Sequence, residues 1–132
     1  MNKITLVSIL SIVLMITACA SRRIQIPDHL SPPELIQQGQ TASDKNRYNQ
    51  ALQYYQAILE RYPSYIDEIC AAEYEIAFIH YKQKQYDTAA AEFNALLERY
   101  NTPDAELLPP QFKRLAEMGL QKIEDKQGKK KR

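Results

Sequence analysis

The side chains of this 132-residue chain with the most capacity for chemistry are two cysteines, Cys19 and Cys70, and two histidines, His29 and His80. The histidines are not spaced as metal ligands, and no cysteine or carboxylate arrangement completes a coordination set. Acidic pairs such as Asp67/Glu68 and Glu73/Glu75 are scattered along helical stretches, where solvated faces account for them. Gly39, Gly119 and Gly128 are the only glycines, so no Gly-rich loop is present to cradle a phosphate. These absences argue against an enzyme and against a metal or other cofactor. Cys70 stands beside Ala71 and Ala72 and reads as a small core residue, with a reactive thiol as the sharper alternative. His80 reads as a packed histidine. Cys19 is the one thiol whose surroundings point to covalent chemistry.

Those surroundings are a positive residue, Lys3, an apolar run over 4–16, and then Ile16-Thr17-Ala18-Cys19. The pattern is that of a secretory signal. An apolar residue three before a cysteine, with Thr and Ala between, resembles the bacterial lipobox. The resemblance implies removal of residues 1–18, diacylglyceryl modification of the Cys19 thiol, and a new amine open to acylation. Two or three acyl chains suffice for stable anchoring. The run is short for a transmembrane helix. Ala20, where Asp would suggest inner-membrane retention, favours the outer membrane. Residues 19–30 carry Arg22, Arg23 and Pro27 without sustained periodicity and read as an acylated tether.

The remainder is organised by helical periodicity. From Glu73 to Tyr100 there is no Gly or Pro, and apolar residues recur every three or four positions on either side of a polar break at 82–85. That pattern predicts two amphipathic helices joined by a tight turn. Its second half has a copy upstream: Tyr48–Tyr62 aligns without gaps on Tyr86–Tyr100, each closing on Leu-Glu-Arg-Tyr, at an offset of 38 residues. A period of that size marks a helical-repeat array.

Start signals divide the array further. Ser31-Pro32-Pro33-Glu34 is a capping-box sequence with Pro in the first turn, opening a helix to about Asp44. Asn49 and Asp87 are expected caps of the second and fourth helices, and Ser64-Tyr65-Ile66-Asp67 a further capping box opening the third. Pro109-Pro110 opens a fifth helix carrying Phe112, Leu115, Met118, Gly119 and Ile123, in the spacing of Leu35, Gln38 and Gly39. The expected domain spans 31–125, and a disordered basic tail 126–132.

In register, Leu35, Gly39, Ala51, Tyr55 and Pro63, then Ile76, Ala77, Ala89 and Phe93, resemble the tetratricopeptide pattern. The resemblance implies an all-α, right-handed array of αα-hairpins, here two repeats plus a C-terminal capping helix. Small residues mark close helix approaches, and Tyr55 and Phe93 fill the space between hairpins. In this family the first helix of each hairpin lines a concave partner-binding groove. Carried onto this chain, the groove comprises Ile36, Gln40 and Asp44, with Tyr74, Phe78, Tyr81 and Lys82. Tyr74, Phe78 and Tyr81 share one helix stripe, either open to a partner or covered by the fifth helix or the tether. The basic and Asn clamp for a peptide carboxylate, found in some members, is absent.

Charge adds an exclusion. Without residues 1–18 the chain holds 16 basic and 16 acidic side chains, a balance that does not suit nucleic acid. Lipobox, tether and Tyr-x-x-Ala-x-x-Tyr/Phe-x-x-x-Leu-Glu-Arg-Tyr repeats together resemble the D-subunit lipoprotein family of the outer-membrane β-barrel assembly machinery, whose members carry roughly five repeats. That resemblance implies a periplasm-facing, lipid-anchored outer-membrane scaffold docking envelope proteins. A pilotin-like or secretion accessory lipoprotein, or a transport accessory binding a small apolar ligand, remains open.

Overall fold

The computed structural model describes residues 23–130; residues 1–22 and 131–132, which include the expected signal, Cys19 and the end of the tail, lie outside the described residues. Five helices follow one another: α1 Pro32–Asp44, α2 Tyr48–Arg61, α3 Ile66–Lys82, α4 Tyr86–Arg99 and α5 Pro110–Lys130. A 3-10 turn, Pro103–Leu107, precedes α5. Among the described residues all regular structure is helical.

The start of α1 is built as its sequence requires. The Ser31 backbone N–H and hydroxyl both donate to the Glu34 carboxylate, at 2.8 and 2.6 Å. These bonds, the hydroxyl's first, hold the Glu34 carboxyl below its ordinary value. The other starts differ from expectation. α2, α3 and α4 follow Arg47, Tyr65 and Gln85, and none has a side-chain cap bond. Asn49 and Asp87 lie inside first turns, and Ser64 falls short of the start.

The turns supply the reason for α2 and α4. Asn46 and Lys84 adopt φ of 56° and 63°, the left-handed conformation that closes a helix. Arg47 and Gln85 N–H groups then donate back to Ala42 and His80 carbonyls, both at 2.9 Å. Asn46 and Lys84 N–H groups donate to Ser43 and Tyr81 carbonyls. This is the same two-bond closure at equivalent positions, and it launches the next helix without a polar cap.

The long period also has a physical origin. α2 and α4 each have 14 residues, whereas α3 has 17 against the 13 of α1. Four extra residues are close to one helical turn, so α3 lengthens with little rotation of its apolar face.

Two core clusters hold the array. Leu35, Ala51, Tyr55 and Ile58 centre one, and Ala77, Ala89, Phe93 and Leu96 the other, all at most 1% exposed. A Cβ on Gly39 would stand 2.5 Å from the Tyr55 ring, and one on Gly119 2.5 Å from the Phe93 ring. α5 therefore stands to α4 as α1 stands to α2. The closing tyrosines follow the same rule. The Tyr62 hydroxyl donates to the Leu30 carbonyl at 2.6 Å, and that of Tyr100 to the Pro109 carbonyl at 2.7 Å. Met118 is 54% exposed because it occupies the position of Gln38, also exposed. Ala116, on another face of α5, is fully buried in the second core cluster.

Both ends of the expected domain need correction. α5 continues beyond residue 125 to Lys130, so residues 126–130 are helix and not disordered tail. Gln121 donates to Asp125 one turn on, and Gln127 reaches Asp87 of α4 at 3.4 Å; terminal lysines also suit a helix C-terminus. The described part of the tether is not free either. The Ile24 N–H donates to Gln53 Oε1 at 2.9 Å, and Arg61 donates to the Pro27 and Ile26 carbonyls at 3.1 and 3.3 Å. Ile26 and Leu30 pack on the first core cluster. Residues 24–30 thus form a strap along α2, because alternate apolar residues give it a face to bury.

Candidate protein-docking groove

The first helices of successive hairpins touch, α1 against α3 and α3 against α5. Where α1 meets α3 they leave a cleft of about 300 Å³ lined by Gln40, Ser43, Asp44, Tyr74, Glu75, Phe78 and Lys82. Five of the seven expected groove residues are gathered there. The other two lie elsewhere: Ile36 is half-buried against the first core cluster, and Tyr81 stacks on Phe78 on the side facing Tyr86.

The floor of the cleft is an aromatic ladder. Tyr74 and Phe78 stack at 5.8 Å between centroids, as do Phe78 and Tyr81. Four- and three-residue spacings on α3 place these rings one above another. α5 covers one flank. Phe112 lies 6.2 Å from Tyr74, and Lys122 Nζ stands 5.9 Å over the Phe78 ring. The ladder is consequently half-buried, with its α1 side facing the cleft.

Charged groups frame this floor. Lys82 Nζ donates to Ser43 Oγ at 3.0 Å and stands 5.0 Å over Phe78 and 5.7 Å over Tyr48. An ammonium over ring faces is held by their negative quadrupole. Burial pushes the Glu75 carboxyl above its ordinary value, against the opposing pull of a Gln40 hydrogen bond and the Lys82 charge. Ser43 and Glu75 were not among the expected residues. Glu75, Phe78 and Lys82 are spaced by three and four, so helix geometry alone could have placed Glu75 on the stripe. Ser43 carries no comparable signal, since its role depends on Lys82 reaching across from another helix.

His80 and Cys70 are held within the array. His80 Nδ1 meets Glu92 Oε2 at 2.6 Å, tying α3 to α4. The depression around that pair is lined by Leu52, Gln53, Gln56 and Ile76, with no hydroxyl or thiol for it to activate. Cys70 is buried, and desolvation pushes its thiol above the ordinary value. Arg99 holds Glu73 through two bonds of 2.7 and 2.6 Å. Among the described residues no three His, Cys, Asp or Glu side chains gather as metal ligands would, and no helix is long and apolar enough to cross a membrane. What this cleft offers is stacked rings with two cations, Lys82 and Lys122, and two carboxylates around them, which suits recognition of a peptide side of mixed character.

Comparison with known proteins agrees on the repeats. The tetratricopeptide-repeat family model matches residues 35–65 and 71–100. The fold is a tetratricopeptide-repeat array. The second matched repeat begins beyond the extra turn at the start of α3, where the period lengthens. The array is also similar to an uncharacterized protein of Treponema pallidum (strain Nichols), 30% identical over 113 residues. That similarity covers 84% of this chain but 45% of the relative, so the chain spans less than half the length of the protein it matches. No solved structure matches it significantly. Tetratricopeptide repeats characteristically serve as protein-interaction scaffolds. No finding links it to the D-subunit lipoprotein family.

Proposed function

We propose that the chain is a non-enzymatic scaffold of the bacterial envelope, lipid-anchored through Cys19 and docking a protein partner in the cleft between α1 and α3. The observation carrying the docking reading is the half-exposed Tyr74–Phe78 stack with Lys82 and Glu75 on its margins. Stacked aromatics in a concave surface are the usual anchors of an interface. The mixed lining favours a polypeptide over a small apolar ligand, for which a largely apolar pocket is expected.

Anchoring rests on Ile16-Thr17-Ala18-Cys19 and the preceding apolar run. The outer membrane, a periplasmic orientation and a role in outer-membrane protein assembly rest on Ala20 and on the resemblance of the repeats. Intact mass spectrometry of the chain from envelope fractions tests the anchor: a polypeptide beginning at residue 19 and carrying diacylglycerol is expected. A chain retaining residues 1–18, or an unmodified Cys19, overturns it. Deletion of the gene separates the two accessory roles, since loss of barrel proteins from the outer membrane supports assembly. Loss of pili or secretion with barrel proteins intact supports the pilotin-like role instead.

A further inference from the structure

The two ends of the array differ in charge, and the chain enters from one of them. The strap runs parallel to α2, from Ile24 beside Gln53 to Leu30 beside Tyr62. Its start shares a depression with Asn46 and Arg47 of the α1–α2 turn, Tyr48 at the start of α2 and Gln83 of the α3–α4 turn. The far end of α5 comes to the same place, since Gln127 meets Asp87 at the start of α4.

This end, the turn end, exposes Arg23, Lys45, Arg47, Lys84, Lys126 and Lys129. Asp44, Asp87, Glu124 and Asp125 share it, so basic side chains outnumber acidic ones there. The opposite end exposes Glu34, Glu60, Asp67, Glu98, Asp104 and Glu106. Two arginines there are engaged, Arg61 with the strap and Arg99 with Glu73, leaving Lys113 and Arg114 as its exposed basic pair.

We infer that the turn end lies against an anionic phospholipid surface, so that the array stands upright on the membrane. The orientation rests on the anchoring proposed above, whereas the lipid affinity rests on the end face itself. Four residues separate Cys19 from Ile24, and even full extension between those Cα atoms spans at most about 18 Å. Docking of the strap makes this short link the whole leash. Basic side chains at such a distance are drawn to anionic headgroups, and the acidic end is repelled. The helices then run away from the surface, lifting the acidic end by about 25 Å along α3. Nucleic acid suits the arrangement poorly, because a long polyanion would also meet the acidic end.

Labels at the two ends test this. Gln85→Cys marks the turn end and Ser64→Cys the acidic end, while Cys70 is buried and Cys19 acylated. The labelled full chain, carried by its own anchor, is placed in phosphatidylglycerol vesicles containing a headgroup quencher. Quenching at residue 85 is expected to exceed that at 64 by roughly threefold or more, and this ratio to drop by roughly half in phosphatidylcholine, in 1 M salt (Debye length about 3 Å), or with Lys45→Glu, Arg47→Glu and Lys126→Glu combined, leaving the smaller difference that the leash alone imposes. Equal quenching at both ends of the unmodified chain, or a ratio that charge reversal leaves unchanged, overturns the inference. Should the chain lack the anchor, the anchoring proposal fails and cosedimentation with phosphatidylglycerol vesicles decides the end face. Retention that charge reversal abolishes supports it; no retention, or tighter binding to single-stranded DNA than to these vesicles, overturns it.

Discussion

At the scale of single residues, contact distance decides more than propensity. Replacing a mid-helix glycine with alanine ordinarily gains about 0.5–1 kcal/mol. At Gly119 the new methyl would stand 2.5 Å from a fully buried Phe93 ring, and overpacking of that kind costs about 1–3 kcal/mol. Gly119→Ala should therefore destabilise, measured as a lower urea midpoint, while Gly128→Ala, with nothing within 4 Å, should not. The pairing of Gly39 with Tyr55 was legible because the repeat pattern requires a small residue there. The pairing of Ser43 with Lys82 was not, since neither residue type announces a partner on another helix.

Glu75 gives a pH dependence whose sign follows from its burial. Its folded-state carboxyl titrates above its ordinary value, so the native state binds the proton more tightly than the unfolded chain does. Stability then falls as pH rises from the ordinary carboxylate range through the raised value, and the penalty is complete above it. Glu75→Gln should stabilise the protein at neutral pH, with the gain shrinking as pH falls towards 4.5, the ordinary value. Thermal melts across that range would check it. Cys70 offers a simpler test, because a buried thiol held above its ordinary value should resist alkylation until the protein unfolds.

At the scale of elements, the sequence period located the helices but not the devices that end them. Asn49, Ser64 and Asp87 are good capping types, yet the backbone closures at Asn46 and Lys84 position α2 and α4 instead. Lysine is an unusual residue in the left-handed conformation, which glycine adopts freely. Lys84→Gly should stabilise the array by about 1 kcal/mol, visible as a raised denaturation midpoint. The strap was illegible for a different reason. Ile24, Ile26 and Leu30 form too short a pattern to register, and their fixing depends on Arg61, which the sequence offers only as part of a repeated Leu-Glu-Arg-Tyr. Arg61→Ala should release the strap, seen as lost hydrogen-exchange protection at the Ile24 amide while amides within α3 keep theirs.

At the scale of the whole molecule, the array presents a concave aromatic cleft that opens towards the turn end, a covering helix at one side and a charge difference from end to end. Each repeat buries its face only against its neighbours, so α5 is what keeps Phe93 from water. Its covering role was readable from Gly119. Its partial hold on Tyr74 and Phe78, through Phe112 and Lys122, depends on how far α5 overlaps α3, which no sequence period encodes.

Docking of a polypeptide in the cleft is tested most directly by a photoreactive residue at Phe78 in living cells, with Gln56 on the exposed face of α2 as the reference position. A discrete envelope polypeptide crosslinked from 78, absent from 56 and lost when Tyr74→Ala removes the neighbouring ring, is the expected result. No polypeptide adduct at 78, or the same adducts from both positions, would contradict it.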